Sequence, residues 1–410
     1  MLLLDKIAQL VLPFVDQGAT STPLEAFQDA ALLIDEGVVL WAGTSANFPE
    51  HYPHYKGKRL ELKDQCVLPG FVDSHTHLVF AGERIDEMER RARGESYEEI
   101  AAAGGGISFS ASQMAQVDQD ELIKESLPRF ETLLRKGTTT CEVKSGYGLN
   151  TAAELKQIEA INQVQKRHAI DVKATALAHL VPKDAQENRS AYLDEFCANV
   201  LKPSAEQGKV DYCDIFVEAG AFSPQEARII ARYAQELGLG IKLHVDQLTS
   251  GAGAELAAEL GALSADHLER ISDEGPEILA QANVTATILP GCKLFLGAGP
   301  WPDGRKLRDA GCEVAIATDC NPGSAMVSDL PLCATMGATL CGLSLPEALW
   351  GITRGGAKAL GLDDRGTLRP GERADLVVLA HTDWRSLLYR PANPPIKSVM
   401  IAGEWVLNAP

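Results

Sequence analysis

The sequence predicts an α/β fold: a (β/α)8 barrel of the TIM type, beside a small β-sandwich that both chain ends build. Three observations predict it. Eight apolar runs of strand length alternate with helix-patterned stretches between about residues 66 and 362. Polar residues stand at the carboxyl end of nearly every run, where a barrel carries its chemistry. Short strands broken by turn residues occupy residues 1–65 and return over 363–410. An open doubly wound sheet is the alternative, and those polar run ends favour the barrel.

The elements follow in chain order. The apolar start, residues 1–14, is interrupted by Asp5 and Lys6 and has no basic leader, so it reads as a strand rather than a signal. Ala31–Ile34 and Val38–Trp41 flank Glu36-Gly37, two strands with a tight turn. Gly57–Leu62 is a third strand. The barrel runs are Val67–Val72, Thr139–Val143, Asp171–Ala178, Val210–Val217, Ile241–Val245, Leu263–Asp266, Thr285–Leu289 and Val314–Ala317. Helices are expected over Ala152–His168, Pro224–Leu237 and Gly253–Leu260. The second begins with Ser223 as N-cap and Pro224 in its first turn. The long insert Arg84–Lys136 holds Gly104-Gly105-Gly106, which reads either as a flexible lid over the barrel mouth or as a plain loop. Near the end, Ser398–Leu407 is a hairpin turning at Ala402-Gly403.

Composition excludes several roles. With 38 Lys+Arg against 56 Asp+Glu the chain carries −18, which opposes nucleic-acid backbones and anionic membranes. No apolar run approaches the roughly 20 residues of a membrane helix. Nine Cys without a CxxC read as buried thiols in a reducing compartment, so a cytoplasmic protein is expected.

The chemistry is read at the strand ends. The first run ends Asp73-Ser74-His75-Thr76-His77, and residues two apart on extended chain point to one side, so His75 and His77 form half a zinc or iron site. His244, His267 and Asp319 close three other runs. Four His and one Asp at one rim, in a chain of nine His, point to a metal. Three imidazoles and a carboxylate leave room for water, whose pKa a metal lowers from about 16 to about 7. Asp319 can ligate and also take the water's proton. His267 is either a fourth ligand or the group that polarises the attacked oxygen, and the second is favoured. A bridging lysine on the fourth strand, common in two-metal sites, is missing, since that run ends at Glu218. Lys144 on the second strand reads instead as an anchor for a loop or an anion, so one metal is expected.

Longer motifs narrow the reading. FVDSHTHLVFAG (71–82), Arg84, YEEIAAAGGGI (97–107), EVKSGYGL (142–149), AHLVP (178–182), DIFVEAGAFS (214–223), KLHVDQL (242–248), ALSADHLE (262–269) and ATDCNPGS (317–324) follow one another through most of the barrel. In this they resemble the imidazolonepropionase family of the amidohydrolase superfamily. The resemblance implies hydrolytic opening of 4-imidazolone-5-propanoate to N-formimidoyl-L-glutamate. It implies zinc or iron on His75, His77, His244 and Asp319, to which the reading of the residues adds a single ion and catalytic roles for Asp319 and His267. It implies substrate contacts from Arg84, Tyr147, His179, Gln247, Asn321, Gly323 and Ser324. It also suggests a homodimer acting on a small molecule, with neither nucleic acid nor membrane as partner.

The residue types suit those roles. A guanidinium fork at Arg84 matches a propanoate, while Arg90, Arg91 and Arg93 read as solvated. Tyr147 sits between two glycines, and His179 closes the third run. Asn321-Pro322-Gly323 is also an ordinary turn signal. Two departures stand out. Gln247 replaces the Glu of some family members, and an amide cannot shuttle a proton, which moves the base role to Asp319. The stretch 293–304 is unlike the family and can alter the pocket rim. The competing readings are another mononuclear amidohydrolase, such as a nucleobase-type deaminase, and a non-enzymatic scaffold on the same fold.

Overall fold

The computed structural model describes residues 1–13, 24–297 and 299–410. Phe14 of the opening run and Ala298 of the 293–304 stretch lie outside the described residues.

Phe71–Asp73, Thr138–Lys144, Asp171–Ala178, Tyr212–Val217, Gly240–Val245, Ser264–His267, Thr285–Ile288 and Val314–Ile316 form one eight-stranded sheet in chain order, every pair parallel. Most of these strands are buried along their whole length, as expected where helices cover the outside and side chains fill the inside. The eighth strand returns to the first at the carboxyl end. Thr318 donates its N–H (3.0 Å) and its hydroxyl (2.7 Å) to Asp73. Asp319 N donates to His75 O and His77 N to Cys320 O, both at 3.0 Å. The sheet therefore closes as a barrel, and these closing bonds lie among the candidate site residues.

The helices begin where the sequence marks them. Pro224–Glu236 opens with a reciprocal capping box between Ser223 and Glu226, and Thr151–Arg167 opens on the Asn150 side chain. Among the described residues no helix is long and apolar enough to cross a membrane.

The structure corrects or refines three expectations. The run Val67–Val72 is two strands, not one. Cys66–Pro69 pairs antiparallel with Leu376–Leu379 in the terminal sheet, while Phe71–Asp73 enters the barrel. The change of partner falls at Gly70, whose N–H goes to Asp375 O, whereas Phe71 N goes to Gly137 O. Second, the small β unit that both chain ends were expected to build is present, as one continuous mixed sheet of eight strands around its own core. The long strand Leu2–Pro13 bonds Leu24–Asp35 on one edge and both Lys58–Glu61 and Cys66–Pro69 on the other, so no separate second sheet arises. The sheet curls until the turn at Gly37 meets the turn at Gly403 through Ala374. Val67 and Leu376 face its own core, while Cys66, Leu68 and Val377 face the barrel. Third, the glycine-rich insert is largely helical: Ile85–Ala92, Tyr97–Ala102, Ile107–Gln116 and Gln119–Arg135. Gly106 N donates to Glu87 Oε1 at 2.8 Å, and Ile107 just beyond reaches the barrel mouth.

Candidate active site

The residues singled out at the strand ends come together. Ring centroids of His75 and His244 are 4.4 Å apart, and those of His75 and His77 5.4 Å. Asp319 Oδ1 lies 3.5 Å from Nε2 of both His75 and His77. His267 stands 5.7 Å from His75 and 5.4 Å from His244. One nitrogen from each of His75, His77 and His244 falls within 4.8 Å of the others, as do ligand atoms of His75, His267 and Asp319.

Behind the imidazoles lies a buried charged layer that the sequence reading missed. His75 Nδ1 contacts Asp266 Oδ2 at 2.6 Å, and His244 Nδ1 lies 2.9 Å from Asp214 Oδ2. Each carboxylate turns its imidazole so that Nε2 faces the common space. Lys144, read as an anchor for a loop or an anion, is wholly buried at the end of the second strand, 2.6 Å from Glu142 Oε1 and 2.7 Å from Asp214 Oδ2. Lys242 Nζ lies 3.5 Å from Asp266 and donates to Ser264 Oγ. Burial opposes ionisation of Asp214, but His244 and Lys144 outweigh it and hold the acid well below its usual range. Burial, then Lys144, keeps His75 neutral, and burial drives His77 down to about 4.

This layer fits a cation. Nε2 of His75 and of His244 is buried and without a hydrogen-bond partner. Asp73, Glu142, Asp214, Asp266 and Asp319 are all buried, and the buried lysines among them are Lys144 and Lys242. Buried imidazole nitrogens without partners, beside the Asp319 carboxylate, are the donor set of a divalent metal.

The substrate side is one cavity lined by His77, Arg84, Tyr147, His179, His244, Gln247, His267, Asp319, Asn321 and Ser324. His75 lies beneath it and Gly323 behind Arg84. Arg84 is 6% exposed and donates to Glu87 Oε2 at 2.7 Å. Its guanidinium lies across Gly323, where an added Cβ would sit 1.9 Å from Nη1, so only glycine leaves room. His179 Nδ1 is 3.1 Å from Gly146 O. A carbonyl only accepts, so Nδ1 carries the proton and Nε2 is left as an acceptor. Burial, then His77, holds this imidazole neutral. Glu154, unmarked by the sequence reading, accepts from the N–H groups of Gly146, Gly148 and Leu149 at 2.9, 2.7 and 2.9 Å and so shapes the loop bearing Tyr147. A Cβ on Gly148 would come within 2.3 Å of Glu154 N.

Other predicted residues take different parts. Asn321 lines the cavity, but its amide is committed to its own loop, donating to Asp319 O and accepting from Gly323 N and Ser324 N. Glu218 accepts from Leu248 N and Thr249 N and braces the segment after Gln247. Gln247 Nε2 donates to Cys292 Sγ at 3.6 Å. Burial opposes protonation of His267, yet bonding to Cys292 and Glu269 raises it well above its usual value. Arg91, expected to be solvated, has a side chain only 8% exposed, because it leans toward Glu87 and Phe295. Ile107, Phe216, Leu248 and Leu296 complete the walls; the first three lie within the quoted motifs, but nothing in their apolar side chains singled them out. All nine cysteines are buried free thiols.

Comparison with known proteins agrees with this geometry. Residues 66–406 match the profile of the amidohydrolase family. The chain is 42% identical to the imidazolonepropionase of Deinococcus deserti over 402 residues, 98% of each chain. It is 41% identical to that of Paracoccus denitrificans over 380 residues, 92% of this chain and 94% of that one. Among solved structures, E. coli guanine deaminase superposes with TM-score 0.76 over 100% of both chains, and a triazine hydrolase variant with TM-score 0.77 over 99% and 94%. Both are 18% identical and speak for the fold alone.

Proposed function

The chain belongs to the amidohydrolase family and, within it, to the imidazolonepropionases; on that premise we propose how its residues carry out hydrolysis of 4-imidazolone-5-propanoate to N-formimidoyl-L-glutamate. The observation that carries the reading is one cavity holding both the imidazole and carboxylate cluster and the Arg84 guanidinium. His75, His77, His244 and Asp319 would hold one zinc or iron ion, since imidazole and carboxylate suit either. Lys144, already paired with Glu142 and Asp214, is not available to bridge a second. When bound, such an ion supplies Lewis-acid charge that makes water acidic near neutral pH.

The chain's own groups do the rest. Arg84, aimed by Glu87, grips the propanoate as a fork on a carboxylate. Tyr147 and the free Nε2 of His179 orient the ring. Protonated His267 polarises the ring carbonyl as its oxygen gains charge. Asp319 accepts a proton from the attacking water and returns it to the departing nitrogen. The water oxygen bonds to the carbonyl carbon, the C–N bond breaks with its electron pair on nitrogen, and that nitrogen gains the proton. The carbonyl becomes a second carboxyl group, which loses the water's remaining proton to solvent and stands as a carboxylate at neutral pH.

Loss of the imidazolone's ultraviolet absorbance tests this. The metal-loaded protein should consume the substrate, and H244A or D319A should lower the rate by at least roughly a thousandfold. Undiminished ring opening in either variant would overturn the reading.

A further inference from the structure

Beside the catalytic cavity lies a second one of about 190 Å³, and Gln247, Leu248 and Leu296 line both. Its charged lining comprises Arg91, Glu95, Glu269, Arg270 and Lys293. Glu95 is engaged elsewhere, while Glu269 turns one oxygen to His267 and leaves Oε2 buried without a partner, too far from Lys293 and Arg270 to pair with either. Glu95 accepts from Arg90 at 2.9 and 2.5 Å, and Glu269 Oε1 faces His267 Nδ1 at 3.7 Å. Among the described residues neither the Lys293 nor the Arg270 side chain makes a hydrogen bond or an ion pair, although Lys293 is only 7% exposed. Both heads converge on one spot. The position a Cβ on Gly299 would take lies 3.0 Å from Lys293 Nζ and 3.4 Å from Arg270 Nη2, so the two cations are no farther apart than those distances combined. Burial, with Arg270 adding to it against the pull of Glu269, lowers the Lys293 pKa. In a chain of net charge −18, a buried lysine and an exposed arginine whose heads converge without a side-chain partner at the wall of the catalytic cavity offer an open seat for an anion.

The reaction supplies one. The substrate carries one carboxylate, which Arg84 suits. Hydrolysis turns the ring carbonyl into a second, and breaking the C–N bond frees that end to swing. Resting on the function proposed above, we propose that Lys293 and Arg270 form a second anion site that receives the new carboxylate of the opened product. The substrate has nothing to place there, so the site discriminates product from substrate. Gln247, an uncharged residue on the shared wall, lets the carboxylate pass without repulsion.

Calorimetric titration of the metal-loaded enzyme tests this with two ligands: N-formimidoyl-L-glutamate and 4-(formimidoylamino)butanoate, which lacks only the new carboxylate. The wild type should prefer the dicarboxylate at least about tenfold. K293Q and R270Q should each cut the preference below about threefold. Binding of the monocarboxylate should move less than about twofold, which also reports that each variant is folded. A preference that survives in the K293Q/R270Q double variant overturns the site, as does an equal loss for both ligands. Absence of imidazolone turnover by the wild type would instead overturn the functional reading and this role with it, whereas turnover with a surviving preference removes the site alone.

Discussion

Replacing Gly323 with alanine separates function from stability at one atom. The new Cβ would sit 1.9 Å from Arg84 Nη1 and 2.2 Å from its Cζ. Ordinary contact needs about 3.5 Å, so the guanidinium must retreat by roughly 1.5 Å. The backbone raises no objection, because Gly323 is not in the left-handed region, and the obstacle is the far end of a flexible side chain. Folding should therefore change by less than roughly 1 kcal/mol. Binding should suffer much more. Charge-assisted bonds are best near 2.7–2.9 Å, and a shift of this size breaks at least one arm of the fork. A hydrogen bond to a charged group contributes roughly 1.5–3 kcal/mol, so kcat/KM should fall roughly 10- to 150-fold. Steady-state kinetics on the imidazolone, beside a thermal melt, reads both quantities. The cause is isolated by the R84M background, where G323A should add less than about twofold because the clashing group is gone. If G323A keeps kcat/KM within about threefold, or costs as much without Arg84 as with it, then Arg84 does not hold the substrate.

Three further outcomes are expected. D266N removes the carboxylate that orients His75 through its 2.6 Å contact, and metal affinity measured against a competing chelator should drop roughly 10- to 100-fold; unchanged affinity would mean that His75 needs no such support. E154A strips acceptors from three N–H groups of the loop bearing Tyr147, so urea unfolding should show a loss of roughly 1–3 kcal/mol together with a raised KM. An unfolding curve identical to the wild type would show that water replaces the carboxylate at no cost. Glu226 is held at about 2 by Arg189, by its N-cap bonds and by the Arg189 charge against a smaller opposing effect of burial. Its folded value lies below the usual 4.5, so its stabilisation is full above that pH and fades as pH falls toward 2. Allowing for screening near the surface, E226Q should lose about 1 kcal/mol at pH 7, and the gap to the wild type should close in acid; a constant gap would assign the effect to packing.

Strands two to eight of the barrel were legible because a parallel strand buried on both faces leaves an apolar run with a polar end. The first was not, because residues 67–72 are equally apolar whether they serve one sheet or two. Only the hydrogen bonds around Gly70 reveal that the terminal sheet claims the first half. The insert misled for another reason. Three consecutive glycines suggested an irregular segment, while the helix-start pairs Ser96/Glu99 and Asp118/Glu121 stood on either side of them and are both used.

At the site, the imidazoles were found because strand ends are where reactivity is sought, and Glu142, Asp214 and Lys242 behind them were missed because they lie inside the strands. A signal was present. Glu142 and Lys144, or Lys242 and His244, stand two apart in otherwise apolar runs, and that spacing puts both on the inner face. A fully buried parallel strand has no reason to carry such residues unless they meet partners at the barrel axis. His267 shows what the spacing cannot convey. It follows Asp266 directly, and regular extension would turn one inward and the other out. Yet Asp266 reaches His75 while His267 lines the cavity. The chain manages both through a φ of 88° at His267, and Asp319, next to inward-bonded Thr318, has a φ of 54°. Such conformations cost of order 1–3 kcal/mol each in a non-glycine residue. The strain thus falls where two consecutive side chains must serve one site, and the barrel-closing bonds of Thr318 to Asp73 and of Asp319 to His75 O hold it in place.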